Sequence, residues 1–133
     1  MSKIISDKAI ENRYFWIDEI QKLSGHFGND TEKLETALEA DIKKNGIYSL
    51  IDHLRFCGNI PESYGHDTSE EKLYSKYTDC LLSLTYRALG LKSLVLKGRA
   101  DAADVEAFTE DYSFVADAKA FRLSRTSQKS KRF

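Results

Sequence analysis

The chain has 133 residues, of which 41% are hydrophobic and 31% are charged, with seven tyrosines and seven phenylalanines. This is the composition of one folded globular domain and excludes a disordered chain. No stretch approaches the roughly 18 apolar residues needed to span a bilayer, and no apolar signal region opens the chain, so we expect a cytoplasmic protein. The formal net charge of −1 hides an asymmetry, because residues 119–133 carry six basic and no acidic side chains.

This basic segment leaves 14 basic and 21 acidic residues, or −7, in residues 1–118. A basic segment beside an acidic body indicates contact with a polyanion, although a solvated tail has the same composition. Cys57 and Cys80 lie 23 positions apart with no CxxC spacing, which disfavours a zinc site or a disulfide, and we interpret both as reduced, half-buried thiols.

Helical periodicity dominates the first two thirds of the chain. The third predicted helix is short and is expected to bury Leu50, Ile51 and Leu54. In the fourth, Thr68 and Glu71 form the pattern of a capping box ahead of a long apolar stripe. The predicted helices run from Ser6 to Gly25, from Asp30 or Thr31 to Gly46, from Ser49 to Cys57, and from Thr68 to about Gly90.

After Gly90 the pattern changes to short β-branched and aromatic segments separated by turns. These segments, residues 93–98, 103–109 and 113–122, predict three strands of a meander. The fold class is therefore α+β, with a helical region (1–91), a β-meander (92–126) and a basic tail (127–133) in a single domain.

Two opposite charges stand inside the last predicted strand. Alternation places Asp117 and Lys119 together on one face, and burying them there requires partners or a metal. A tight turn at 110–112 would lay Asp104 of the preceding strand beside them. The oxygens of Asp104 and Asp117, with the backbone carbonyl of Ala118, can hold Mg²⁺, and Lys119, with its pKa lowered, can orient an attacking water. The bare pattern is also frequent on exposed strands.

Residues 93–126 resemble the HindIII-type restriction endonucleases of the PD-(D/E)xK nuclease superfamily. The resemblance is most specific in the run V-A-D-A-K-x-F-R-L-S-R-T, here 115–126, and it extends to I-P-E at 60–62, E-K-L-Y-S-K at 71–76 and A-D-V at 103–105. It implies a restriction-endonuclease-like mixed sheet and Mg²⁺-dependent type II cleavage of double-stranded DNA.

Carried over residue by residue, the resemblance implies that Asp104 and Asp117 bind metal and that Lys119 is catalytic. It gives Glu71 a possible site role, for which the capping box is an equally adequate explanation. Asp101 competes with Asp104 as the first ligand. Arg122, Ser124 and Arg125 continue from the catalytic strand and would contact DNA phosphates.

The chain ends 14 residues after Lys119, whereas the family it resembles continues well beyond this point. We therefore expect a truncated or split endonuclease with little or no activity alone, which would act as a homodimer when complete or with a second chain. The alternative is a non-catalytic DNA-binding or assembly module derived from a nuclease.

Overall fold

The computed structural model describes residues 7–25, 30–57, 59–96 and 103–119. Within these ranges the chain forms four helices followed by a three-stranded antiparallel sheet, which confirms the α+β class. None of the helices in the described ranges is long and apolar enough to cross a membrane. The elements are α1 (Asp7–Ser24), α2 (Thr31–Asn45), α3 (Ile47–Phe56), α4 (Ser69–Ala88), β1 (Lys92–Val95), β2 (Val105–Phe108) and β3 (Ser113–Ala116).

The helix boundaries follow local capping chemistry. The side chain of Asp30 accepts a hydrogen bond from the Lys33 amide at the start of α2. At the start of α4, Thr68 accepts from the Glu71 amide while the Glu71 carboxylate accepts from the Asp67 amide, so the predicted capping box is confirmed. Gly46 ends α2 with a positive φ of 78°, a conformation that favours glycine.

The hydrophobic core lies between the four helices. In α3, Leu50 is buried, but Ile51 and Leu54 remain 39% and 40% exposed, so the prediction that all three are buried is wrong for two of them. The buried residues of α3 are Ser49, Leu50 and His53. Because each helical residue turns about 100° from the last, Ile51 lies on the opposite side of the helix and Leu54 at the margin of the buried face. The fully buried aliphatic side chains of the other helices are Ile20, Leu34, Leu38, Leu73 and Leu81.

A buried polar network joins α2, α3 and α4. The Nε2 atom of His53 lies 3.0 Å from Oδ2 of Asp41, and Nδ1 lies 2.7 Å from the hydroxyl of Tyr77. Since a carboxylate only accepts, Nε2 carries the proton and the Tyr77 hydroxyl donates to Nδ1. Ser49 donates a second hydrogen bond to Asp41. Burial lowers the pKa of His53, which keeps the ring neutral and the network intact.

The sheet has the order β1-β2-β3, and each neighbouring pair is antiparallel. Val105 pairs with Val95 on one side and with Ala116 on the other. The predicted meander is confirmed, but its strands are shorter than predicted. In particular, β3 ends at Ala116, and residues 117–119 are not strand, so the prediction of a strand across 113–122 is wrong at these positions.

One face of the sheet packs against α4. Val105 and Ala107 of β2 are buried in this contact. The Ser83 hydroxyl of α4 donates to Ser93 of β1 over 3.1 Å, and Ser93 donates to the backbone carbonyl of Glu106 over 2.8 Å. Because these bonds join α4, β1 and β2, they set where the helix lies along the strands.

Candidate active site

Two carboxylates meet where β2 begins and β3 ends. The backbone amide of Asp104 donates to Oδ1 of Asp117 over 3.3 Å, and the amide of Ala118 donates to Oδ2 of Asp104 over 2.9 Å. Each aspartate therefore accepts a hydrogen bond from the other strand's backbone, and we call this reciprocal arrangement the aspartate clasp. The clasp explains why β3 stops at Ala116, since the Asp104 side chain takes the Ala118 amide in place of a strand partner.

The clasp brings together the two aspartates that the sequence analysis proposed as metal ligands. Asp117 and Lys119 are exposed, and Asp104 is half-buried. The sequence analysis considered a buried strand that carries Asp117 and Lys119, whereas both residues follow the strand and are exposed. Both side chains are exposed to solvent at the end of the described sheet, so a metal ion and a phosphate could reach them.

A third carboxylate, missed by the sequence analysis, lies on α4 beside the clasp. Asp79 is 4% exposed. Burial and the neighbouring charge of Asp104 raise the pKa of Asp79 to about 6, and the charge of Asp117 adds to this rise. Lys76, whose Nζ lies 3.4 Å from Oδ2 of Asp79, acts in the opposite direction. A buried acid with a raised pKa, near two further acids, is typical of a functional site.

The sequence contained one weak signal for Asp79. It lies between Tyr77 and Leu81 of the apolar stripe but on a different side of the helix, where it shares a face with Lys76 and Ser83. A helix with one face in the helical core and another on a sheet is buried on two sides. A charged residue on the second face is therefore a candidate for function.

The donor atoms of this site fit Mg²⁺. Carboxylate oxygens are the ligands that Mg²⁺ prefers, and proteins commonly hold it with one or two carboxylates, water and substrate phosphates. The clasp supplies two such groups. Across the described ranges, no three His, Cys, Asp or Glu side chains are close enough to hold a metal as a group, so Asp79 would have to move to join the other two.

The structure does not bring the remaining predicted site residues to the aspartate clasp. Glu71 lies in the capping box of α4, eight residues before Asp79, which is about 12 Å along the helix. A role for Glu71 in the site stays a prediction. The alternative ligand and the predicted DNA-contacting residues, Asp101, Arg122, Ser124 and Arg125, lie outside the described residues.

A comparison with known families matches residues 13–133 to the HindIII restriction endonuclease model. The chain belongs to the HindIII restriction endonuclease family. Within this family, it is 40% identical over 86 residues to the Type II restriction enzyme HindIII of Haemophilus influenzae (strain ATCC 51907 / DSM 11121 / KW20 / Rd). The match covers 63% of this chain and 29% of that enzyme, so the chain spans less than a third of the length of the relative it matches.

Proposed function

We propose that this chain carries the catalytic centre of a type II restriction endonuclease, which hydrolyses phosphodiester bonds of double-stranded DNA with Mg²⁺. The observation that carries the proposal is the aspartate clasp, which pairs Asp104 with Asp117 two residues before Lys119. Membership of the HindIII restriction endonuclease family supports the same reaction. So does the similarity to an enzyme named as a type II restriction enzyme.

Each residue of the site has a distinct role in this proposal. Asp104 and Asp117 would hold the metal through the carboxylate oxygens that the clasp leaves open, and the carbonyl of Ala118 would be a third oxygen donor. Mg²⁺, when bound, would supply a Lewis acid that polarises the phosphate. Lys119 orients the attacking water and stabilises the negative charge that develops on the phosphate. Asp79 is a further carboxylate that can turn toward the metal.

The basic segment after Lys119 is proposed to position the DNA. Arg122, Ser124 and Arg125 would donate hydrogen bonds to phosphate oxygens, which fixes the register of the duplex but does not read its sequence. The resemblance makes a palindromic hexamer the first candidate for the recognition site. This segment carries positive charge beside an acidic body, so binding should weaken steeply with added salt.

We further propose that the chain cleaves weakly alone and more strongly with additional polypeptide, either a second copy or a chain that supplies further strands. Within the described residues, β3 forms an edge of the sheet, and Phe114 and Val115 are 44% and 58% exposed. Exposed strand edges are natural sites for adding strands. A catalytic centre needs support from surrounding elements to hold its geometry, and Asp117 follows this edge directly.

Nicking of supercoiled plasmid DNA by the full 133-residue chain tests the proposal. We expect Mg²⁺-dependent nicking that falls at least about 100-fold in Asp117→Asn and in Lys119→Ala, because each removes a group that acts on the reacting phosphate. Lys44→Ala, an exposed lysine on α2, is the matched control for lost positive charge. The same assay with Glu71→Gln tests the predicted role of Glu71.

The principal alternative is a non-catalytic module that binds DNA. Such a module would bind duplex DNA with a steep salt dependence, show no metal-dependent nicking, and be indifferent to Lys119→Ala. That combination of results would refute the endonuclease proposal.

A further inference from the structure

The face of α4 that covers the sheet also carries a lysine next to the acidic site. Ser83 bonds to Ser93 of β1, and the ring of Tyr86 packs edge-on against Phe114 of β3 at 5.3 Å. Three residues, 89–91, separate the end of α4 from the start of β1, so the helix runs back along this strand. Cys80 and Leu84 accordingly line a small cavity with Val95, at the far end of β1. Asp79 lies one turn before Ser83 on α4. The rise of about 6 Å between them is close to the length of two residues of a strand.

The same step along β2 leads from Ala107, the partner of Ser93, to Val105, the partner of Ala116. Asp79 therefore lies over the end of the sheet from which the clasp residues Asp104 and Asp117 extend. The effect of both carboxylates on the pKa of Asp79 agrees with this placement. One turn further back, α4 carries Lys76.

Lys76 forms an ion pair with Asp79, one of these acids. Its Nζ lies 3.4 Å from Oδ2 of Asp79, whose side chain is 6% exposed, whereas the Lys76 side chain is 37% exposed. The carboxylate is thus fixed in the interior and the lysine reaches it from the solvent side. A long, flexible ammonium side chain of this kind can move away at small cost once another cation takes its place.

We propose that Lys76 is the counter-ion of the metal-free site and that it competes with the metal for Asp79. When a divalent cation binds at the aspartate clasp, Asp79 leaves Lys76 and turns toward the metal, and the freed ammonium faces solvent at the edge of the site. This inference rests on the proposed metal site. It makes Lys76 a positioning residue, because it acts on the metal through Asp79.

Titration of the full chain with Mn²⁺ at pH 8 tests this competition, with free Mn²⁺ followed by electron paramagnetic resonance. Removing the ammonium in Lys76→Met should tighten Mn²⁺ binding about threefold to tenfold at 0.1 M salt, because the metal then no longer has to displace an ion pair whose carboxylate is buried. Lys76→Gln should do the same. Lys76→Arg, which keeps the charge, should leave the affinity within about twofold of the original.

Lys44→Met on α2 is the matched control, because it changes the net charge equally at a site far along the chain. It should not alter Mn²⁺ affinity. When Asp79 is already replaced by Asn, adding Lys76→Met should change Mn²⁺ affinity little or not at all, because Lys76 no longer holds a carboxylate away from the metal. A general electrostatic effect of Lys76 would instead persist in the double variant and would overturn the competition.

The titration separates failure of this inference from failure of the proposed function. If the original chain binds no Mn²⁺, or if Asp104→Asn and Asp117→Asn bind it as tightly as the original, the metal site itself is wrong and the inference falls with it. If those two variants lose Mn²⁺ but Lys76→Met and Lys76→Gln bind it equally or more weakly, the metal site stands and the competition by Lys76 is refuted. Circular dichroism of each variant checks that the fold is retained.

Discussion

Replacing Asp79 with asparagine is expected to stabilise the fold while damaging the site. Burial and the charges of Asp104 and Asp117 raise the pKa of Asp79 from 3.8 to about 6. The folded state thus binds the carboxyl proton of Asp79 more tightly than the unfolded state does. Ionisation of Asp79 therefore lowers the free energy of unfolding once the pH exceeds 3.8, and the full loss applies above pH 6. At 1.36 kcal/mol per pKa unit, the cost is about 3 kcal/mol at pH 8. Asparagine never ionises and avoids it.

Urea unfolding of the original chain and of Asp79→Asn at two pH values measures this effect. The variant should gain about 3 kcal/mol in the free energy of unfolding at pH 8, but only about 1 kcal/mol at pH 4.5, where Asp79 is largely protonated in the folded state. At the same time, its Mn²⁺ affinity should fall. Replacing a functional residue commonly stabilises the fold and weakens the function, and we expect Asp79 to follow this pattern.

Glu110→Gln is the control for this experiment. Glu110 is an exposed acid in the turn between β2 and β3, so its replacement should change stability by no more than about 0.5 kcal/mol at either pH. The reasoning would be refuted if Asp79→Asn were less stable than the original at pH 8, or if its gain were the same at both pH values. Either result would mean that burial and the neighbouring acids do not oppose the charge of Asp79.

Two further predictions concern buried groups outside the site. Tyr77→Phe should lower the free energy of unfolding in urea by about 1–3 kcal/mol, because it leaves Nδ1 of His53 buried without a hydrogen-bond donor. Tyr48→Phe is the control, since Tyr48 is 77% exposed and its replacement should have no such effect. Equal losses in the two variants would contradict the buried network. The Cys80 thiol should resist iodoacetamide at pH 8 in the folded chain and react in urea, because burial raises its pKa to about 12. Rapid alkylation of folded Cys80 would contradict its burial, which is complete and not partial as the sequence analysis proposed.

Some features of the helices could be predicted from neighbouring residues in the sequence, and others could not. Asp30, Gly46 and Thr68 act within one turn of their own positions, so the limits of α2 and the start of α4 could be predicted from neighbouring residues. The exposure of Ile51 and Leu54 could not be predicted in this way. Which side of α3 is buried depends on how α1 and α4 pack around it, and the short helix has apolar residues on more than one side.

Some residues of the candidate site were likewise predicted from the sequence, and others were found only in the structure. The sequence by itself placed Asp104 close to Asp117, because a tight turn joins their predicted strands, but it left Asp101 as a competing ligand, and the register of the two strands came from the structure. It also placed Lys119 beside them, though in a strand that proved to end earlier. Only the tertiary structure identified Asp79 and Lys76. These residues precede Asp104 by more than 20 positions, and nothing local relates a helix face to a strand end until α4 packs across the sheet and the buried carboxylate meets the charges of the clasp.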